Sequence, residues 1–135
     1  MRDHLRLEVV TQTRRVLEVE AEEVQLPGTL GALGVLPGHT PLLTTLGIGE
    51  LMYRSDHRES YLALQWGFAE VLPDRVTVLA SIAEMPEEID VATAERERDE
   101  AEVALKTAGA MEVKMITARL QMALTRIKVA ERRNS

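Results

Sequence analysis

Up to about Met85 apolar residues alternate with polar ones. Leu5, Leu7 and Val9 are interleaved with Arg6 and Glu8, and Leu17, Val19 and Ala21 with Glu18 and Glu20. Val24 and Leu26 follow, then Tyr61-Leu62-Ala63-Leu64, Phe68-Ala69-Glu70-Val71 and Val76-Thr77-Val78-Leu79-Ala80. A period of two places successive side chains on opposite faces of an extended chain, so these segments are predicted to be half-buried strands. The breaks carry turn chemistry: Pro27-Gly28, Pro37-Gly38, Gly47 with Gly49, Ser55-Asp56-His57 and Pro73-Asp74. Short, closely spaced strands with no helix between them predict an antiparallel sandwich or barrel.

After Pro86 the period becomes helical. Asp90 suits an N-cap, with Glu95 near the positive end of the helix dipole. Val91, Ala94, Ala101, Leu105 and Ala108 recur at helical spacing, and Gly109 offers a stop. A second helix is predicted from Met111 to about Arg132. Val113, Ile116, Leu120, Ala123, Ile127 and Ala130 step by three and four along it, as in a coiled-coil seam. A short connection makes the two helices an antiparallel hairpin. The expected fold class is therefore α+β, with a β-sandwich over residues 1–86 and a helical hairpin over residues 87–135.

Charge divides between the helices. Glu87 to Glu102 holds eight acidic and two basic residues, whereas Lys106 onward holds seven basic and two acidic. Either the two arms pair through opposite charge, or the basic arm has a separate acidic partner. A wheel at 100° per residue puts Arg119, Arg126 and Arg133 in one row. The seam through Ile116, Leu120 and Ile127 lies on one side, and Met111, Met115, Ala118, Met122 and Val129 on the other. Lys114, Gln121, Thr125, Lys128 and Arg132 form a polar face. A hairpin needs only one apolar stripe. The second either is covered by arginine stems, packs on the sandwich, or meets another protein when the hairpin opens, an exchange that adaptable methionines suit.

Composition narrows the function. The net charge of -6 gives no electrostatic footprint for nucleic acid, and 3% aromatic residues provide no stacking platform for bases. There is no cysteine, hence no disulfide or thiolate chemistry. No signal peptide and no apolar run near 18 residues is visible, so no direct membrane insertion is expected. Walker, GxGxxG, GxSxG and HExxH motifs are absent. His4, His39 and His57 show no metal-ligand spacing, and no cofactor is expected. Glu70 and Glu84 read as structural or solvated carboxylates at strands or their ends.

One segment stands out: Leu33-Gly34-Val35-Leu36-Pro37-Gly38-His39-Thr40-Pro41-Leu42-Leu43. Pro37-Gly38 fits a tight turn with positive φ at the glycine, Pro41 keeps the following chain extended, and His39 reads as a turn residue bonding local backbone. An apolar preformed loop is a docking surface. This segment resembles the signature loop of epsilon subunits of F-type ATP synthases (delta in mitochondria). Gly49-Glu50-Leu51, Gly67-Phe68-Ala69-Glu70-Val71, Val76-Thr77-Val78-Leu79-Ala80, and Ala83-Glu84 through Ile89-Asp90 extend the likeness over almost the whole chain.

The resemblance implies a sandwich of about ten strands, non-catalytic, attached to the gamma subunit and to the membrane rotor ring of c subunits. Leu36, Pro37, Gly38, His39 and Pro41 would lie at that rotor interface. It implies a peripheral location on the cytoplasmic face of the bacterial inner membrane. It also implies a hairpin that extends into the headpiece to block ATP hydrolysis, presenting Arg119, Met122, Arg126 and Arg133 to the catalytic beta and alpha subunits. Residues 91 to 132, if helical throughout, would reach roughly 60 Å. Gly109 in a helix interior would cost about 1 kcal/mol, which leaves bent and extended forms accessible. Some relatives bind ATP in the folded hairpin through an Ile/Leu-Asp-x-x-Arg-Ala motif. Here it reads Ile89-Asp90-Val91-Ala92-Thr93-Ala94. Thr93 cannot make a charge-assisted phosphate contact, so weak or no ATP binding is expected and Asp90 serves as a helix cap. An ATP-sensing module, a general adaptor and a small β-sandwich enzyme are the competing readings.

Overall fold

The computed structural model describes residues 3–134. Eight strands come first: β1 (Leu5–Val10), β2 (Arg15–Ala21), β3 (Glu23–Gly28), β4 (Gly31–Val35), β5 (Leu42–Leu46), β6 (Gly49–Ser55), β7 (Arg58–Leu72) and β8 (Arg75–Glu84). A 3-10 turn, Pro86–Glu88, leads into α1 (Val91–Leu105) and α2 (Ala110–Glu131), and Arg132–Asn134 closes the chain with a last 3-10 turn.

The sheet order is β2-β1-β8-β7-β5-β3-β4, with β6 bridging β3 and β7. The first half of β7 pairs with β6 and its second half with β5, while β8 follows it along almost its full length. β7 and β8 therefore pass from one layer to the other, and the sheet folds over a single core. Leu5, Leu7, Val9, Val24, Leu26, Leu51, Leu64, Val71, Val76 and Val78 fill it, all inaccessible to solvent. These are the inward members of the alternating runs.

Two expectations need correction. There are eight strands among the described residues rather than about ten, because β7 and β8 each serve both layers as one continuous element. The bend in β7 falls at Trp66, which has a φ of 40°. Its neighbour must be glycine: a Cβ on Gly67 would run into the Leu79 carbonyl of β8. Nor is the sheet wholly antiparallel, since β1 pairs with β8 in parallel from Arg6↔Arg75 to Val10↔Leu79. The two strands are joined through the rest of the sandwich, so no tight turn dictates their direction.

The helices follow the sequence more closely. Asp90 caps α1, its Oδ1 accepting the Thr93 backbone N–H at 3.2 Å, and this bond pulls the carboxyl below its usual range. Gly109 is not the stop, however. α1 ends at Leu105, where Lys106 and Thr107 donate short-turn bonds to Val103 and Ala104. Gly109, in extended conformation, is the N-cap of α2. Reversing direction uses all four residues of the connection. Ala94 and Ala101 of α1 are buried, as are Ala123 and Ala130 of α2.

Candidate functional site

Two sets of residues stood out in the sequence, and the fold places them at opposite ends of the β7–β8 ribbon. The loop sits at the end where Leu72 pairs with Arg75. His39 N–H donates to Leu36 O at 3.1 Å, closing a turn with Pro37 second and Gly38 third. Gly38 has a φ of 89°, which makes this a type II turn that requires glycine at that position. Gly38 N–H also donates to Pro73 O at 2.7 Å, tying the loop to the β7–β8 turn. His39 Nδ1 donates to the Thr40 carbonyl at 2.6 Å, the local backbone bond expected of it. Leu36, Pro41 and Leu43 stand exposed, and Phe68 and Leu79, cross-strand partners, continue the apolar surface onto the outer sheet face.

At the other end Ala63 pairs with Glu84, roughly 30 Å away at about 3.3 Å per residue along β8. Here α2 lies on the sheet. Met122, Val129 and Ala130 join Ala63 and Ile89 in a second small core, with Ile48, Tyr61, Ile82 and Val91 at its rim. Full burial of a side chain such as Val129 is worth about 1.5–3 kcal/mol. The second apolar stripe thus divides. Its Met122 and Val129 pack on the sandwich, while Met111 and Met115 remain 95% and 63% exposed. Between those methionines and Trp66, Gln65 and Ile82 of the sheet runs an open groove of about 690 Å³.

The arginine row divides in the same way. Arg126 clasps Glu84 with two bonds, Nε to Oε1 at 2.7 Å and Nη2 to Oε2 at 3.3 Å. Both side chains are largely shielded, at 21% and 27% exposure. Arg133 donates to Pro86 O at 3.2 Å. Arg119 lies on the groove, exposed, with no hydrogen-bond or ion-pair partner among the described residues. The two helices are scarcely joined by charge. Among the described residues the sole ion pair between them is Arg126–Glu97, at 4.0 Å. Three cations of the basic arm, Arg126, Lys128 and Arg132, meet carboxylates of the sandwich, Glu84 and Glu50.

The junction between sandwich and helices is fastened too. Arg14, from the β1–β2 turn, donates to Glu88 and to Ala83 O. Glu88 also accepts the Met85 N–H at 2.9 Å. These two contacts, the Arg14 bond foremost, hold the Glu88 carboxyl below its ordinary range.

Comparison with known proteins decides the family. The model of the ATP synthase delta/epsilon chain β-sandwich domain matches residues 4–86, and that of its long α-helix domain matches residues 87–131. The chain belongs to the ATP synthase delta/epsilon family. The ATP synthase epsilon chain of Koribacter versatilis is 53% identical over 109 residues, covering 81% of this chain and 77% of that one. An epsilon chain of Syntrophotalea carbinolica is 47% identical, covering 98% of this chain and 97% of its own. The fold recurs in a chain of the Euglena gracilis mitochondrial ATP synthase, with a TM-score of 0.79 at 20% identity, covering 100% of this chain and 84% of that one. A chain in the structure of the Tetrahymena thermophila mitochondrial ATP synthase central stalk and c-ring gives 0.65 at 12% identity, covering 93% of this chain and 96% of that one. No described helix of this delta/epsilon family member is long and apolar enough to cross a membrane.

Sequence reasoning missed one constellation. Lys128 and Arg132 were assigned to a plain polar face, yet Arg132 grips Glu50 through Nε at 2.6 Å and Nη2 at 3.0 Å. Its guanidinium carbon lies 3.8 Å from the centre of the Tyr61 ring, and Lys128 reaches the same carboxylate at 3.7 Å. Glu50 was noted only as part of Gly49-Glu50-Leu51. Its partner is 82 residues away, and no local signal marks such a pair.

Proposed function

We propose that this chain is a non-catalytic central-stalk subunit of an ATP synthase, coupling rotation of the membrane ring to the catalytic headpiece, with a hairpin that opens to restrain ATP hydrolysis. The observation that carries this reading is the separation of the two surfaces. The loop Leu36–Pro41 and the hairpin contacts lie at opposite ends of one β-ribbon, so the sandwich can stay docked while the helices move. Its footing would be the loop with Leu43, Phe68 and Leu79, facing the gamma subunit and the c ring. The protein would lie peripherally on the membrane-bound complex, on the cytoplasmic side.

In the open form Arg119, Met122, Arg126 and Arg133 would face the catalytic subunits. Met122 and Arg126 now face the sandwich, so opening must first expose Met122 and free Arg126 from Glu84. That cost makes the closed form a defined state from which partners can draw the hairpin by offering differential contacts of a few kcal/mol. Two experiments test the reading. Substituting Gly38→Val, which the positive φ forbids, abolishes co-purification with gamma while the isolated chain stays folded. Ending the chain after Glu88 preserves assembly and raises ATP hydrolysis by the complex. Retention of gamma by Gly38→Val would refute the footing, and unchanged hydrolysis would remove the inhibitory arm.

A further inference from the structure

The end of α2 is fixed more elaborately than a surface helix end requires. Glu50 of β6 lies opposite Ala63 of β7, and Tyr61 is two residues back on the same face. Acidic acceptor and aromatic ring thus lie side by side beneath the last turn of α2. The ring is itself anchored. Tyr61 O–H donates to Glu59, Glu59 pairs with Arg54, and Arg54 pairs with Glu23 of β3. Arg132, the C-cap residue of α2, lays its guanidinium on the ring and meets both oxygens of Glu50. A planar fork matched to a carboxylate and stacked on an aromatic face is a contact lysine cannot reproduce.

We propose that Arg132, Glu50 and Tyr61 form an electrostatic latch that sets the balance between the closed and open hairpin and loosens as ionic strength rises. This rests on the reading of the helices as a movable arm. The latch lies at the C-terminal end of the helix, where the last turn frays. The N-terminal half of α2, bordering the open groove, adds little hold on the sheet, so release of the far end lets the docked turns peel off in order. Arg132 is 35% exposed, so its side of the pair meets solvent and ions, while Glu50, at 16%, is largely shielded, and screening weakens the pair only in part. The Debye length falls from about 10 Å at 0.1 M salt to about 3 Å at 1 M.

The full chain contains no cysteine, so Arg58→Cys and Gln121→Cys provide a unique spin-label pair on sandwich and helix, read by pulsed electron paramagnetic resonance. Glu50→Gln and Arg132→Gln each raise the open-to-closed ratio about tenfold, the order expected for losing charge-assisted hydrogen bonds. The reciprocal exchange, Glu50→Arg with Arg132→Glu, returns much of the closed population. Glu70→Gln, an equal charge change away from the helix, leaves it unmoved. Salt raised from 0.05 M to 1 M opens the unsubstituted chain more than it opens Glu50→Gln, in which, among the described residues, only the Arg126–Glu84 clasp of the docked helix is left to screen. Distances in Glu50→Gln and Arg132→Gln that superimpose on the unsubstituted chain overturn the latch. So does an equal response in Glu70→Gln. Amide protection of the strands verifies that the sandwich is intact. Should Glu50→Gln disturb it, Arg132→Gln at the end of the chain decides alone. The readout needs no partner subunit. An isolated chain that opens as described while the assembled complex hydrolyses ATP unchanged would retain the latch and sink the inhibitory reading.

Discussion

The two halves of α2 belong to one unbroken helix and have opposite relations to the sheet beside it. From Met122 through the 3-10 turn that follows it the helix is docked: Val129 is fully buried, and Arg126, Arg132 and Arg133 reach Glu84, Glu50 and Pro86. From Ala110 to Gln121 it stands off, with Met111 and Met115 in solvent and Arg119 unpaired among the described residues. The difference shows where the helices are held to the sheet. The hold is in the last turns of α2 and beside the Pro86–Glu88 junction, not at the tip where the helices turn.

The sharpest way to break this contrast is a charge at its most buried point. Val129→Asp places a carboxylate in an apolar site without a partner, at a cost on the order of 4 kcal/mol. The expected result is loss of amide protection over the docked half of α2, with strand protection retained. The matching change in the other half, Met115→Asp, costs less than about 0.5 kcal/mol. Next in size is the Arg126–Glu84 clasp. Glu84→Gln keeps the shape and removes the charge, and chemical unfolding of the helical part shows a loss of about 2 kcal/mol. Arg119→Met, one row-step away, has almost no effect. Comparable losses from Arg126→Met and Arg119→Met would erase the distinction between the halves.

Acid probes the junction that both halves hang from. The Arg14 guanidinium and the Met85 N–H depress the Glu88 carboxyl in the folded state. The folded form therefore binds this proton less readily than the unfolded chain does. Its stabilising share is complete above about pH 5, beyond the ordinary glutamate value near 4.3. It is lost as pH falls through that value and below it. Thermal unfolding followed by circular dichroism should find Glu88→Gln less stable than the unsubstituted chain above pH 5, with the gap closing toward pH 3. A gap independent of pH would assign the junction to packing instead.

Much of this architecture is legible in the sequence, and what is not has a common cause. Strand alternation, the Asp90 cap and the Leu36-Pro37-Gly38-His39 turn are local, and each is realised as read. The paired apolar stripes of α2 are also local, and the wheel correctly separates Met122 and Val129 from the seam. It cannot say that Met111 and Met115, on the same stripe, stay uncovered, because that depends on how far the sheet extends beneath the helix. Arg132 lies on a polar face by periodicity, and only the fold brings Glu50 and Tyr61 under it. The parallel β1–β8 pair and the bend at Trp66 are likewise set by closure of the sheet. Glycine at Gly67 is required by the Leu79 carbonyl opposite, a neighbour that sequence spacing does not reveal. Gly109 shows the limit on a local scale: it was read as the end of one helix and proves to be the start of the next.

The smallest effect expected is also the most discriminating. Met115→Ala removes a side chain that is 63% exposed, so it leaves no cavity in a packed core and should change stability by less than about 0.5 kcal/mol. Met122→Ala, seven residues along the same stripe, empties a site that is 3% exposed and should cost about 2–3 kcal/mol. Trp66 is the chain's single tryptophan and lines the groove beside both methionines, so its emission reports on the same surface. With Met115→Ala the indole should remain as solvated as before. If Met115→Ala were as costly as Met122→Ala and shifted the Trp66 emission to the red, the groove would be closed in solution. The helix would then be docked along its whole length, and the weight placed on its far end would have to be shared with its tip.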